Sequence, residues 1–417
     1  MLRSLPPAGH PIELKQFLSF CREKSNDTDF LKGWNPELNY FYVNSGSSAL
    51  VLALEALQDF SSRTQVILPA YTCPSVMAAV VYCGLQPVLC DMEPTSFQMD
   101  LGRMASIMNS ETLAVIAVHL FGLPENIAEL KALTCSQGVY LIEDAAQAFG
   151  NKVPFDNLSA GITYPSPLNS KSTDLTERSL GSFGDIGIFS FGRGKPLTLM
   201  SGGAVLVNNL ELQESAQKLY NILPQNSSFL HTFYYFFNLF LYSILFKPNL
   251  YWIPQGIPWL RLGETIFTTE IKVKRMIPDV TKPAVSLLSN FSRVRNTRLE
   301  LAKVYTEKLR CFENEFLILP KIDSGDIALL RFPILFTNSE KRNQALNELK
   351  IKRLGATGMY PASLNEQSGA SGYILNGESY PNAELISQRI ITLPLHEEVK
   401  KKDIDQICKI ITRILSQ

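Results

Sequence analysis

Six short apolar runs, separated by helical stretches between residues 40 and 210, constrain this chain more than any other feature. They are QVILPA (65–70), QPVLCDM (86–92), LAVIAVHL (113–120), VYLIEDA (139–145), IGIFSF (186–191) and GAVLVN (203–208). Each is apolar nearly throughout, as a strand covered on both faces must be. Intervening stretches such as SSALVLALEALQDF and SVMAAVVYCG read as helices, and parallel neighbours need such crossovers. The expected fold class is α/β: a mainly parallel sheet with helices on both faces, in a large domain over residues 1–280.

The texture changes after about residue 280. NFSRVRNTRLELAKVYTEKLRCF reads as a charged amphipathic helix, IALLRFPILF as a strand, SEKRNQALNELKIKRLG as a helix and KKDIDQICKIITRILSQ as a closing helix. A smaller C-terminal α+β domain over 281–417 follows, and 417 residues are enough for both.

Two segments fall outside this scheme. Residues 151–182 are rich in Ser, Pro, Asn and Thr and have no sustained period, which reads as a mobile loop near the site. Residues 229–246, FLHTFYYFFNLFLYSILF, hold no Asp, Glu, Lys or Arg. Eighteen such residues reach the lower limit for a membrane span, but the tyrosines, Asn238 and His231 suit hydrocarbon poorly. The aromatic-rich segment runs on to residue 260, and the readings are a buried or dimer-interface helix, an interfacial helix giving membrane-surface contact through 229–260, or a span.

Charge narrows the partners. Lys plus Arg and Asp plus Glu balance at 39 each, so neither nucleic acid nor a broadly anionic partner is expected. Seven cysteines without a CxxC pair argue against metal and disulfides. The N-terminal MLRSLPPAGHPIELK lacks a signal-peptide core, so the expected location is cytoplasmic, with peripheral contact at the inner membrane face as the variant.

In an open parallel sheet, ligands sit beyond the carboxyl ends of the strands. Asp144 and Gln147 follow one run, His119 closes another, and Ser190 and Lys195 follow a third, so polar groups converge on one crevice. Asp144 reads equally as a helix N-cap, and His119 as a satisfied structural histidine or a substrate-side contact. In VNSGSSALVLALEAL, Gly46 permits close backbone approach, while Ser47 and Ser48 offer hydroxyls and amides at a helix start; the stretch is a phosphate seat or simply a cap. No Walker spacing occurs, GRGKP sets Pro196 after its lysine, and no G-x-G-x-x-G opens a helix after the first strand. A phosphate seat, a carboxylate and a loop lysine together suit pyridoxal 5'-phosphate, whose imine, pyridine nitrogen and phosphate need those three groups.

Taken in order, SGSSALVLAL, VILPAYTCPSVMAAVVYCGLQPVLCDME, VIAVHLFG, LIEDAAQAFG, GDIGIFSFGRGKPLT and GGAVLVNN resemble the successive signatures of the DegT/StrS family of pyridoxal-phosphate-dependent sugar aminotransferases, of the fold-type-I class. The resemblance implies that Lys195 forms the covalent bond to the cofactor, Asp144 pairs with its ring nitrogen and Gln147 lies near its ring hydroxyl. Gly46, Ser47 and Ser190 match the phosphate-binding positions. It further implies an amino donor such as glutamate, a keto-sugar acceptor, a likeness to nucleotide-linked substrates, and a homodimer. Relatives that dehydrate sugars carry histidine where this chain has Lys195, which argues against that rival; a lyase and a non-catalytic or membrane-associated protein of the same fold are the others.

The chain departs from the pattern in four places. Cys73 falls where an aromatic stacks on the cofactor, with Tyr71 two residues away. Ser201 replaces a glutamate before the double glycine. The stretch 151–182 is longer than the family's, and no G-x-N-x-R follows residue 210, where a partner subunit supplies a phosphate contact. Arg193 is the candidate replacement for that contact.

Overall fold

The computed structural model describes residues 3–22, 29–32, 39–154, 177–225, 228–260, 263, 265–322, 327–375 and 378–417. Its main sheet holds seven strands: β1 (Tyr40–Val43), β2 (Gln65–Pro69), β3 (Gln86–Cys90), β4 (Thr112–Val118), β5 (Tyr140–Asp144), and, after a small hairpin of β6 (Lys152–Pro154) and β7 (Glu177–Ser179), β8 (Ile186–Ser190) and β9 (Gly203–Val207). The order is β1-β9-β8-β5-β4-β2-β3. All six apolar runs are strands, and β1 is a seventh that they do not include.

Pairing explains the direction of each strand. β2 with β3, β2 with β4, β4 with β5 and β5 with β8 are parallel, whereas β9 runs against both β8 and β1. Residues 191–202 between β8 and β9 contain no helix, so the chain cannot cross over and must return antiparallel. That short return is the lysine loop.

The β4 strand shows how both faces are covered. All seven of its residues are buried. Ala114, Ile116 and Val118 enter one core with the helix Gly46–Gln58, while Val115 and Ala117 enter another with the helices Phe229–Leu245 and Thr281–Ser289. Alternate side chains point to opposite faces, so the doubly apolar pattern is what two helical layers require. Each fully buried Val, Leu or Ile contributes roughly 1.5–3 kcal/mol.

A third core belongs to the C-terminal part. There β10 (Leu317–Ile318), β11 (Arg331–Phe336) and β12 (Ile390–Pro394) form an antiparallel sheet packed by the helices Ser339–Ile351 and Lys401–Leu415. The helix Phe291–Leu309 joins the two parts, giving Phe291 and Val294 to the large core and Ala302, Tyr305 and Leu309 to the small one. An N-terminal strap also ties them: the Leu5 N–H donates to Arg353 O at 2.9 Å, His396 Nε2 donates to Pro6 O at 2.8 Å, and the Ser4 N–H donates to Pro248 O at 2.8 Å.

Most of the expected mobile loop, 155–176, lies outside the described residues, and its flanks are the antiparallel pair β6 and β7. The aromatic stretch is one helix, Phe229–Leu245, capped by the Ser228 hydroxyl. Tyr235, Leu239, Tyr242 and Ser243 are buried, while Phe229, Leu230, Phe233, Tyr234 and Phe237 are exposed. Such a two-faced helix docks on the protein; among the described residues no helix is long and apolar enough to cross a membrane, so the span reading is withdrawn.

Candidate active site

The carboxyl ends of β1, β2, β4, β5 and β8 open into one cleft of about 380 Å³. Gly46, Ser47, Asp144, Gln147, Ser190, Arg193 and Lys195 all line it, so seven of the eight candidate residues meet there. This is the position the sheet topology dictates.

The candidate phosphate seat is built by a close approach. Ser45 caps the helix Gly46–Gln58, its hydroxyl accepting from the Ser48 N–H at 3.1 Å. A Cβ on Gly46 would lie 2.8 Å from Ser190 Cβ, so only glycine lets β8 and the helix N-terminus share this corner. The Ser48 hydroxyl is not part of the seat: it is buried, lies 2.9 Å from Ser45 Oγ and donates to Lys272 O at 3.4 Å.

Asp144 ends β5 and is buried. Its Oδ1 accepts from the Ala146 N–H at 3.0 Å, but turns follow rather than a helix, which removes the N-cap reading. Burial pushes its carboxyl up; the Lys195 charge, the Ala146 N–H and His119 pull the other way without reversing the shift. Lys195 stands at the turn after Gly194, whose φ of +79° favours glycine, and its carbonyl accepts from Thr198 Oγ1 at 2.8 Å.

Gln147 is held at both ends. Its Oε1 accepts from the Phe121 N–H at 3.1 Å and its Nε2 donates to the Tyr360 hydroxyl at 3.2 Å. Cys73 lines the cleft, with Sγ 2.9 Å from Ser75 Oγ; Tyr71 is fully buried and donates to Tyr360 O at 3.2 Å. Neither Tyr71 nor another aromatic near Cys73 on that segment faces the cavity, and the aromatic wall comes from elsewhere.

His119 is the exception. It is completely buried, its Nε2 lies 3.0 Å from Glu143 Oε2, and its Nδ1 accepts from the Glu125 N–H at 3.1 Å. Both ring nitrogens are engaged, so the substrate-side reading is corrected to a structural one. Glu143 accepts in turn from the N–H groups of Gly181 at 2.9 Å and Gly184 at 2.6 Å. Burial alone would raise its carboxyl, yet the His119 bond and these N–H groups hold it below its usual value.

Several lining residues carry no signal that the sequence motifs supply. Tyr242, Phe246 and Tyr251 come from the aromatic segment and the turn after it, and Arg331, Thr357 and Tyr360 from the small domain. A wider cavity of about 940 Å³ adjoins the cleft through Tyr251, Thr357 and Met359.

The profile of the DegT/DnrJ/EryC1/StrS aminotransferase family matches residues 39–232 and 283–412. UDP-N-acetyl-3-dehydro-alpha-D-glucosamine 3-aminotransferase from Acidithiobacillus ferrooxidans is 33% identical over 42% of this chain and 42% of its own. GDP-perosamine synthase from Vibrio cholerae is 31% identical over 43% and 42%. The chain thus spans about two fifths of the length of these curated relatives in the aligned stretch. The solved aminotransferase TlmJ from Streptoalloteichus hindustanus superposes with a TM-score of 0.74 at 18% identity over 99% of each chain, a likeness of fold. Six ordered motifs, the matching architecture and a profile that covers most of the sequence agree: the chain belongs to the DegT/DnrJ/EryC1/StrS aminotransferase family.

Proposed function

We propose that this protein is a pyridoxal-phosphate-dependent aminotransferase that moves an amino group from an amino acid, with glutamate the leading donor, to a keto sugar carried on a nucleotide. The observation that carries the reading is the convergence of Lys195, Asp144 and the Gly46–Ser190 corner in one cleft. The residues fit the cofactor: a helix start for a phosphate, a buried carboxylate for a ring nitrogen, and an amine beside it.

Bound there, pyridoxal 5'-phosphate supplies an electron sink for carbon–hydrogen bond cleavage next to nitrogen. The chain's own residues do the rest. Gly46 and Ser47 offer backbone N–H groups at a positive helix end, Ser190 adds a hydroxyl, and Arg193 adds a charge where a partner's Asn is absent. Asp144 has Lys195 as its cationic neighbour, and a protonated ring nitrogen is a second partner that would keep its carboxylate ionised despite burial. With cofactor and donor bound, the Lys195 Nζ would be the amine placed to take a proton from the donor carbon and return it.

Family likeness also supports a homodimer, and the exposed face of Phe229, Leu230, Phe233, Tyr234 and Phe237 offers an apolar surface for a second copy. The test of the reaction is spectroscopic. Holoprotein should show the absorption band of a cofactor imine and lose that band on adding L-glutamate. Lys195→Ala should abolish turnover on a keto-sugar panel while retaining non-covalent cofactor, and turnover by that variant would refute the assignment.

A further inference from the structure

Two consecutive carbonyls at the lysine turn are held from behind, by groups that do not line the cleft. The Lys195 carbonyl accepts from Thr198 Oγ1 at 2.8 Å, and that hydroxyl accepts from the His10 N–H of the N-terminal strap at 3.2 Å. The next carbonyl, of Pro196, accepts from Arg298 Nη2 at 3.1 Å, and the same nitrogen donates to Gly9 O of the strap at 3.3 Å. Arg298 belongs to the helix Phe291–Leu309 that joins the two domains. One guanidinium thus ties together the joining helix, the strap and the turn that carries Lys195.

The turn needs such a tie. Gly192 and Gly194 precede the lysine, Gly194 with a φ of +79°, and glycines leave the backbone on that side free to rotate. Pro196 follows and has no N–H, so its carbonyl is its one backbone hydrogen-bonding group. The bond from the Lys195 N–H to Gly192 O is long at 3.3 Å. The path of the strap is specified as well: Gly9 has a φ of +133°, and a Cβ there would lie 2.7 Å from the Tyr242 hydroxyl, which donates to His10 O at 3.1 Å.

A cation is a costly fastener. Arg298 is 1% exposed, and its Nε has no partner among the described residues. Glu397, whose charge acts on it, forms its ion pair with Arg293 at 3.0 Å instead. Burial pulls the guanidinium down to about 10 against the opposing charges of Glu397 and Tyr242, so it remains a cation at neutral pH. An apolar side chain would fill the same space without that desolvation. It could not hold Pro196 O and Gly9 O on one nitrogen.

We propose that Arg298 is a positioning residue for Lys195, which fixes the lysine turn against the strap and ties the direction of its amine to the placement of the joining helix. The assignment rests on the aminotransferase reading for the task of Lys195, but its first test needs neither cofactor nor substrate.

Hydrogen exchange of the cofactor-free protein reads the turn directly. Arg298→Met should speed exchange of the Lys195 and Leu199 amides roughly 10- to 100-fold, the factor for losing a hydrogen bond to a charged group, while β8, β9 and the joining helix exchange as before. Added pyridoxal 5'-phosphate should then form its imine band more slowly. In the loaded protein the rate of band loss with L-glutamate should fall by up to roughly 100-fold, as it does when a reacting group is misplaced by about an ångström. Half-saturation by glutamate should stay within about twofold, because Arg298 does not line the cleft. Arg298→Lys keeps the charge and gives up the fork, so it should fall between the two, and it carries the test if Arg298→Met does not fold. Unchanged turn amides, or acceleration spread evenly over β8, β9 and the helix, overturns the proposal. So does a locally loosened turn with unaltered rates of imine formation and band loss. A loosened turn with slowed imine formation, in a protein that never loses the band with glutamate in any form, would sustain the positioning role and refute the transamination reading instead.

Discussion

Gly46→Ala tests whether the proposed phosphate seat is built by steric contact between two elements. The new Cβ would stand 2.8 Å from Ser190 Cβ and 3.0 Å from Ser190 Oγ. Carbon atoms rest at about 3.5–4.0 Å, so the helix start and the end of β8 must part by at least about 0.7 Å. Overpacking of this kind costs about 1–3 kcal/mol. Alanine is also the better helix former by up to about 1 kcal/mol, so the single variant alone would understate the clash. Pairing it with Ser190→Gly separates the terms. That change deletes the Cβ and Oγ and leaves Ser190 Cα, 3.6 Å away and in ordinary contact. In the Ser190→Gly background, Gly46→Ala should therefore be neutral or stabilising, a coupling of about 1–3 kcal/mol with the sign of the substitution reversed. Melting of the cofactor-free protein reads the cycle without a ligand contribution, and the coupling should appear as a difference of several degrees, about 2–4 °C per kcal/mol in domains of a few hundred residues. Cofactor affinity of Gly46→Ala should fall in parallel because the N–H groups move away from Ser190. Equal melting shifts in both backgrounds would refute the argument that contact, rather than helix propensity, makes this position glycine.

Two more outcomes follow from buried and exposed groups. Burial pushes the Glu125 carboxyl from its ordinary 4.5 up to about 8, against the pull of the Met99 and Asn126 N–H groups. Since the folded value is the higher one, stability falls as pH rises between those two values and is level above the upper one; each unit is worth about 1.4 kcal/mol. Glu125→Gln should therefore melt progressively above the unaltered protein from pH 5 to 8, and parallel melting curves across that range would contradict the assignment. On the surface, Phe233 and Phe237 stack at 6.2 Å in the exposed apolar stripe. Glutamate at both positions should shift sedimentation from dimer toward monomer; an unchanged mass with lost flotation on anionic liposomes would assign the stripe to a lipid surface instead.

The large domain is legible because its strands are covered twice, which leaves few polar residues in each run and makes the exceptions stand out. Asp144, Ser190 and Lys195 are such exceptions, placed at strand ends where topology gathers them. His119 stands at an equivalent strand end but turns inward, because Glu143 and Glu125 on neighbouring segments satisfy both its nitrogens; position along a strand does not fix which way a side chain at its end will turn. Arg331 and Tyr360 were not legible for a different reason. They follow Lys195 by more than a hundred residues, and nothing local distinguishes Arg331 from the other cations of a charged domain until the two domains are docked. The aromatic helix gave a mixed signal because one element serves two faces: Tyr242 reaches the cleft, while Phe233 reaches solvent.

The N-terminal strap has a mechanical meaning. Ser4 is bonded to Pro248 beside the aromatic helix, Leu5 and Pro6 to Arg353 and His396 of the small domain, and His10 O to the hydroxyl of Tyr242, with Pro7 and Ala8 in the cleft wall between these anchors. A hinge-like swing of the small domain would load this span like a tether drawn tight, and its hydrogen bonds would have to break in series. Tyr360 rides on the tethered side and Lys195 on the other, so the strap limits how far the two walls of the cleft can part.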